Sequence, residues 1–401
     1  MDELFKYEQE IAEEDKPPSR SPRPAKLWRV AVIANVKGES ALPLNGPEDA
    51  GAEFDRPETI RSIQDAIESD GHTTIFLPAD SNLPFALRDV QPDICFNIAE
   101  GLGGDAREAQ VPALLEMLRI PYTASRVLAN ALGLDKTMTK RIWREAGLPT
   151  ARFQEFNTAE EALDPQLTFP LFVKPAREGT GMGMGEHSIV HDETQLRRQV
   201  RWVIENYHQP ALVEEFLSGR EFTVGVLGRK DALRWARRPS LYEANGFCRL
   251  PVLEVDAGRS ITPGVYGRTA KTLHPGDSGV PDFLCPAPIP GALARQLQDL
   301  AIQAHLAVGA LDVSRVDMRL NGQGQPCLIE INTLPGLTPG FSDLCVIANA
   351  GGISYRDLIL EILYLGASRF GLALPHPLAI RRQRGVRLPH LVNMSPQMQL
   401  R

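Results

Sequence analysis

The sequence predicts a mixed α/β and α+β fold, and three observations carry that expectation. Apolar runs alternate with helical periodicity over residues 27–125, a glycine-rich loop follows a short apolar run at Leu171–Lys174, and two strand-like runs near 313–332 flank a polar turn. The 401 residues suffice for two or three domains. Hydrophobic content of 43% and charged content of 23% are those of an ordinary globular chain.

Residues 1–26 combine an acidic segment with a proline-rich one and are expected to form a disordered or partly helical arm. Leu27 to Asn35 is nearly continuous in apolar residues, as a strand covered on both faces requires. A helix over 57–69 and strands near 73–77 and 94–98 complete a βαβ alternation. Helices are expected over 106–119 and over 125–147 with an interruption at Gly133. A strand at 171–174, a helix over 193–206 and paired strands at 211–216 and 221–227 follow. Residues 237–290 read as loop-heavy, residues 291–308 and 354–365 as helices, and the arginine-rich end as a solvated tail.

The net charge of −7 argues against nucleic acid as the main partner. No apolar stretch approaches membrane-spanning length and no secretory leader is visible. Five widely spaced cysteines lack zinc-site spacing and read as reduced packing residues of a cytoplasmic protein.

The most informative stretch is Asp317 to Asn332. If its turn is symmetric, Leu320 faces Cys327, Asp317 faces Glu330 and Arg315 lies near Asn332, all on one face. Ser314, Val316, Met318, Cys327, Ile329 and Ile331 then form the opposite face. Opposed carboxylates repel unless a cation sits between them, and Asp, Glu and Asn oxygens suit magnesium shared with a nucleotide. The competing reading is a surface hairpin with its polar face in water.

Lys174 precedes a loop, Ala176 to Gly185, in which Gly179, Gly181, Gly183 and Gly185 alternate. Such a loop can bring backbone N–H groups close to phosphate, with Lys174 beside it. It matches neither a dinucleotide fingerprint nor a P-loop, and a flexible turn remains the alternative. Taken singly, the Glu214–Glu221 segment reads as a solvated turn and Lys136 as a surface lysine.

In order, Leu134-Asp135-Lys136, Lys174-Pro175-Ala176-Arg177-Glu178-Gly179, Glu214 to Val224, Arg315-Val316-Asp317 and Glu330 to Thr338 resemble the D-alanine:D-alanine ligase branch of the ATP-grasp superfamily. Ile120 to Ser125 is similar to that family's first domain junction, and the resemblance covers roughly 27–366. It implies an ATP-grasp fold behind an N-terminal βαβ pre-ATP-grasp domain. The implied units are 27–125, a central subdomain 126–213, a C-terminal subdomain 214–366 and a basic tail 367–401.

The resemblance also implies an ATP-dependent ligase that joins a carboxylate to an amine through an acyl phosphate. Lys136 and Lys174 would meet ATP, and Gly179, Thr180, Gly181 and Gly183 would cover its phosphates. Glu214, Phe216 and Leu217 would surround the adenine and Glu221 would hold the ribose. Asp317, Glu330 and Asn332 would hold two magnesium ions, with manganese as a substitute. Arg315 and the Gly336 N–H would face the oxyanion, and Lys271 would neutralise the transferred phosphate. Small amino-acid substrates and a homodimer are further implications.

At the substrate end the pattern departs from the family. Glu100 stands in place of a histidine, Asp55 falls near a glutamate that binds the first amino group, and Thr180 replaces a serine. Thr272 replaces a tyrosine, and Asp343, after Ser342, replaces a small apolar residue. Either Glu100 and Asp343 meet substrate, or they pair with arginines such as Arg107 or Arg319. Glu100, Thr272 and Asp343 motivate the alternative of a relative that joins other amino acids or a larger carboxylate. A non-catalytic nucleotide-binding module is a separate alternative, which would be expected to lose Lys174, Arg315 or a metal ligand, and none is lost.

Overall fold

The structure, a computed structural model, describes residues 27–40, 42, 46–256 and 282–372. The N-terminal arm, Lys271, Thr272 and residues 373–401 of the basic tail lie outside them. The mixed α/β class expected from sequence is what is found, as three sheets with helices packed against them.

The first sheet is parallel, in the order β2 (Thr73–Pro78), β1 (Arg29–Ala34), β3 (Ile94–Asn97). Val30 to Ala34 are fully buried, which explains why that run is apolar without alternation. The crossover α1 (Pro57–Glu68) starts on a proline and buries Ile60, Ile63 and Ile67, a stripe at helical spacing. A short α2 (Leu83–Val90) was not legible in the sequence. A 3-10 turn over Arg107–Ala109 precedes α3 (Gln110–Leu118), so the helix expected from residue 106 starts later, with Pro112 in its first turn.

α4 (Val127–Leu134) and α5 (Lys136–Glu145) break at Asp135, not at Gly133. The Asp135 carboxylate caps α5 by accepting from the Met138 N–H at 2.9 Å. Gly133 serves a close approach, since a Cβ there would lie 2.9 Å from Thr333 Cγ2.

A four-stranded antiparallel sheet has the order β4 (Phe153–Phe156), β7 (Ala211–Glu215), β5 (Leu171–Pro175), β6 (Ile189–Val190). Against it α6 (Glu193–Tyr207) buries Leu196, Val200 and Val203. The boundary expected between residues 213 and 214 falls inside β7, two residues before its end, because that strand pairs throughout with β5.

The third sheet is antiparallel, in the order β10 (Asp282–Leu284), β9 (Phe247–Asp256), β8 (Glu221–Gly228), β11 (Val313–Leu320), β12 (Pro326–Asn332). β9 corrects the loop-heavy reading of residues 237–290. Its Pro251, which argues against a central strand, sits at the register shift opposite Val224–Val226, where no ladder N–H is required. After α7 (Ala232–Trp235), α8 (Gly291–Ala307) covers one face of this sheet, and α9 (Asp343–Ala350) covers β8 and β9. α10 (Tyr355–Arg369) packs on α1 and joins the first and third sheets in one core. Among the described residues no helix is long and apolar enough to cross a membrane.

Candidate active site

The β11–β12 hairpin pairs Asp317 with Glu330 and Arg315 with Asn332, the register that symmetry of its turn predicts at this end. At the turn end the register differs: Leu320 pairs with Pro326 and Arg319 with Cys327, and the shift falls between Asp317 and Met318. One extra residue on β12 exchanges the faces beyond it. Leu328 is therefore the core residue, fully buried against Met318, while Ile329 lines the cleft and Cys327 shares a face with Arg319.

Asp317 is held from three sides. Thr223 Oγ1 donates to its Oδ1 at 2.9 Å, Arg315 donates through Nε and Nη2 at 3.1 and 2.9 Å, and Asn332 Nδ2 lies 3.4 Å from Oδ2. Glu330 Oε2 is 3.4 Å from Lys136 Nζ. Each carboxylate of the opposed pair thus meets a protein cation. Among the described residues no three His, Cys, Asp or Glu side chains gather into a metal cage.

The hairpin closes one side of a cleft between the second and third sheets. Opposite it stand Phe172 and Lys174 on β5, Glu214 on β7, and Phe216 and Leu217 beyond it; Glu221, Thr223, Arg319 and Ile329 are shared with the third sheet. Glu214 is gripped by Lys174 Nζ at 2.7 Å and Lys140 Nζ at 2.8 Å, and all three are buried. Burial alone would raise the Glu214 carboxyl, but the two ammonium groups hold it at about 2. Glu221 lies 3.8 Å from Arg319, whose guanidinium covers the Phe216 ring.

The glycine-rich loop leaves β5 beside this triad. Lys136 Nζ donates to the Glu178 carbonyl, and Arg177 pairs with Asp135 at 2.9 Å. Gly181 and Gly183 have positive φ, and so does Thr180 at +51°, a strained conformation for a β-branched residue. The Gly183 N–H is turned toward residue 49, where Asp49 accepts it at 3.2 Å.

At the other end, Arg107 rather than Glu100 is the hub. It donates to Glu53 at 3.0 and 2.8 Å, to Glu178 at 3.2 Å and to the Arg177 carbonyl at 2.8 Å. Burial, with Glu53 and Glu108 nearby, drives the Glu100 carboxyl well above its usual range despite Arg107. Burial also lifts Asp55 to about 7. Asp343 lies 3.5 Å from Arg315, not Arg319, at the first turn of α9. Ser342 Oγ accepts from the Thr338 N–H at 3.0 Å, and a Cβ at Gly336 would come within 2.9 Å of it.

The profile of the D-ala D-ala ligase C-terminus matches residues 142–249 and 252–364, more than half of the chain. The chain belongs to the D-alanine–D-alanine ligase family. It is an ATP-dependent ligase of that type. An uncharacterized protein of Sinorhizobium fredii, y4sG, is 35% identical over 317 residues, 77% of this chain and 87% of that one. A D-alanine–D-alanine ligase of Syntrophotalea carbinolica is 33% identical over 310 residues, 77% of this chain and 90% of its own. The crystal structure of the Bacillus anthracis D-alanine–D-alanine ligase complexed with ATP superposes with a TM-score of 0.62 at 21% identity. It covers 89% of this chain and 100% of that one, and shares the fold.

In this ligase the residues singled out from sequence converge. Lys174, Glu214, Phe216, Leu217, Glu221, Asp317, Glu330, Asp343 and Gly181 line one cleft, while Lys136, Thr180, Arg315 and Asn332 border it. Sequence reasoning missed Lys140, Glu53, Thr223 and Asp49, and named Arg107 only as a candidate partner of Glu100 or Asp343. Lys140 had a signal, because it lies four residues from Lys136 and so shares its helix face. The others had none, since their partners lie far away in the chain.

Proposed function

We propose that this chain activates the carboxylate of one amino acid with ATP and joins it to the amino group of a second. D-Alanine is the reference substrate for both positions. The observation that supports this most strongly is the meeting, across one cleft, of the Lys140–Glu214–Lys174 triad, the glycine-rich loop and the Asp317–Glu330 pair. Adenine would lie against Glu214, Phe216 and Leu217, ribose near Glu221, and the phosphates under Gly179, Thr180, Gly181 and Gly183. Lys136 and Lys174 would offset their charge, with Lys271 assisting from outside the described residues.

The donor set fits magnesium: two facing carboxylates and an amide leave room for water and phosphate oxygens, which this ion retains. Asp317, Glu330 and Asn332 would hold it, and when bound it would neutralise phosphate charge. Arg315 is held strongly protonated by Asp317 and Asp343 against the pull of burial, and with the Gly336 N–H it would stabilise the oxyanion formed when the amine attacks. The carboxylate oxygen attacks the γ-phosphorus and ADP leaves; the amine then displaces phosphate from the acyl carbon to give the amide. Closure of the glycine-rich loop over the reactants would limit competing hydrolysis.

A second reading is favoured by Asp343, which puts a carboxylate 3.5 Å from the oxyanion-facing arginine, and by Glu100 among three other acidic groups, Glu53, Asp55 and Glu108. It is a ligase for other amino acids, one bearing an additional amino group among them. Phosphate release and mass spectrometry with D-alanine against a panel of D-, L- and diamino acids separates the two readings. D-alanyl-D-alanine as the dominant product supports the first, and phosphate release with D-alanine but no dipeptide removes it.

A further inference from the structure

The segment 46–56 leaves the region of β1, turns at residues 48–50 and returns at Asp55, whose backbone pairs with Asn35 and Lys37. Midway along it Asp49 is only 6% exposed. Both its carboxylate oxygens accept from Tyr207 Oη, at 3.0 and 2.9 Å, and Oδ2 also accepts the Gly183 N–H at 3.2 Å. Tyr207 ends α6 and Gly183 lies in the glycine-rich loop, so one carboxylate carried by the first domain holds two parts of the second. A buried carboxylate costs free energy unless such bonds are made.

The fit around this contact is tight. A Cβ at Gly183 would lie 2.5 Å from Pro175 Cγ and 3.1 Å from Tyr207 Cε2, at a φ of +70°. The same segment grips the base of the loop, because Glu53 orients Arg107, which donates to the Arg177 carbonyl and to Glu178. It then ends at Asp55, on the substrate side.

We infer that Asp49 is a positioning residue: through Tyr207 and the Gly183 N–H it clasps the glycine-rich loop shut, coupling the segment that carries Glu53 and Asp55 to exclusion of water from the phosphates. The inference rests on the ligase reading above. With the clasp broken, water returns the acyl phosphate to carboxylate and inorganic phosphate, and ATP is consumed without amide.

The test uses the full chain and the variants Asp49→Ala, Asp49→Asn, Tyr207→Phe and the Asp49→Ala/Tyr207→Phe pair. Wild type releases phosphate and amide in equal amounts. Each variant releases a severalfold excess of phosphate, the double variant no more than Asp49→Ala, and Tyr207→Phe, which keeps the ring, still melts in one cooperative transition. Independently of turnover, glutamyl endopeptidase cleavage after the exposed Glu186, with ADP and magnesium present, accelerates roughly tenfold to hundredfold in Asp49→Ala. Unchanged stoichiometry together with unchanged cleavage overturns the inference. A wild-type chain that makes no amide from any amino acid refutes the ligase reading instead, and the cleavage rates still decide the clasp.

Discussion

Replacing Glu214 by glutamine preserves its shape and removes the charge that two buried lysines share. Lys140 is 0% exposed and Lys174 3%, so the variant leaves two ammonium groups with no anion between them. The Glu214 carboxyl sits at about 2 against an ordinary 4.5, which corresponds to about 3 kcal/mol of folded-state preference for the charged form. That agrees with the ~3–5 kcal/mol lost when one partner of a buried ion pair is removed. A depressed carboxyl contributes fully above its unfolded value and loses that contribution as pH falls through its folded value. The gap between wild type and Glu214→Gln should therefore be constant from neutral pH to near 4.5 and close as pH falls toward 2. Urea unfolding followed by fluorescence, in which the fully buried Trp143 of α5 reports, measures it. Adding Lys140→Met should restore part of the loss by removing the surplus cation. A Glu214→Gln chain that unfolds within about 0.5 kcal/mol of wild type would refute the reasoning, since that is the scale of a surface substitution.

Glu330→Ala should fold and melt normally while turnover drops by orders of magnitude; near-normal turnover would remove the proposed metal role. Glu100→His exchanges a carboxyl for an imidazole beside Glu53, Asp55 and Glu108. It should shift kcat/KM toward D-alanine relative to diamino acids, and an unchanged ratio would separate Glu100 from specificity. Because burial sets the Asp55 carboxyl near 7, kcat/KM for the first amino acid should rise with pH through that value as the carboxylate forms. Asp55→Asn should abolish the inflection, and a profile identical in the variant would assign the titration elsewhere.

Legibility in the sequence followed the range of the interactions. β1, α1, α6, α8 and the hairpin pairs Asp317–Glu330 and Arg315–Asn332 were readable because period and turn chemistry act over a few residues. β9 was not, since Pro251 is tolerated only where β8 shifts register against it, and the bulge that moved Ile329 into the cleft left no local mark. The break at Asp135 could have been read from its capping preference, which outranks the flexibility of Gly133.

The order of the motifs by itself determined the family, because lysine, glycine loop, acidic turn and carboxylate hairpin in one sequence specify an ATP-handling ligase. What only the tertiary structure decided is who faces whom: Lys140 beside Glu214, Asp343 against Arg315, Arg107 in place of Glu100 as the hub, and Asp49 upon the loop. Those pairings join residues between 28 and 134 positions apart. Charges meeting across separate elements obey distance and burial, and a linear chain encodes neither until its sheets and helices have packed.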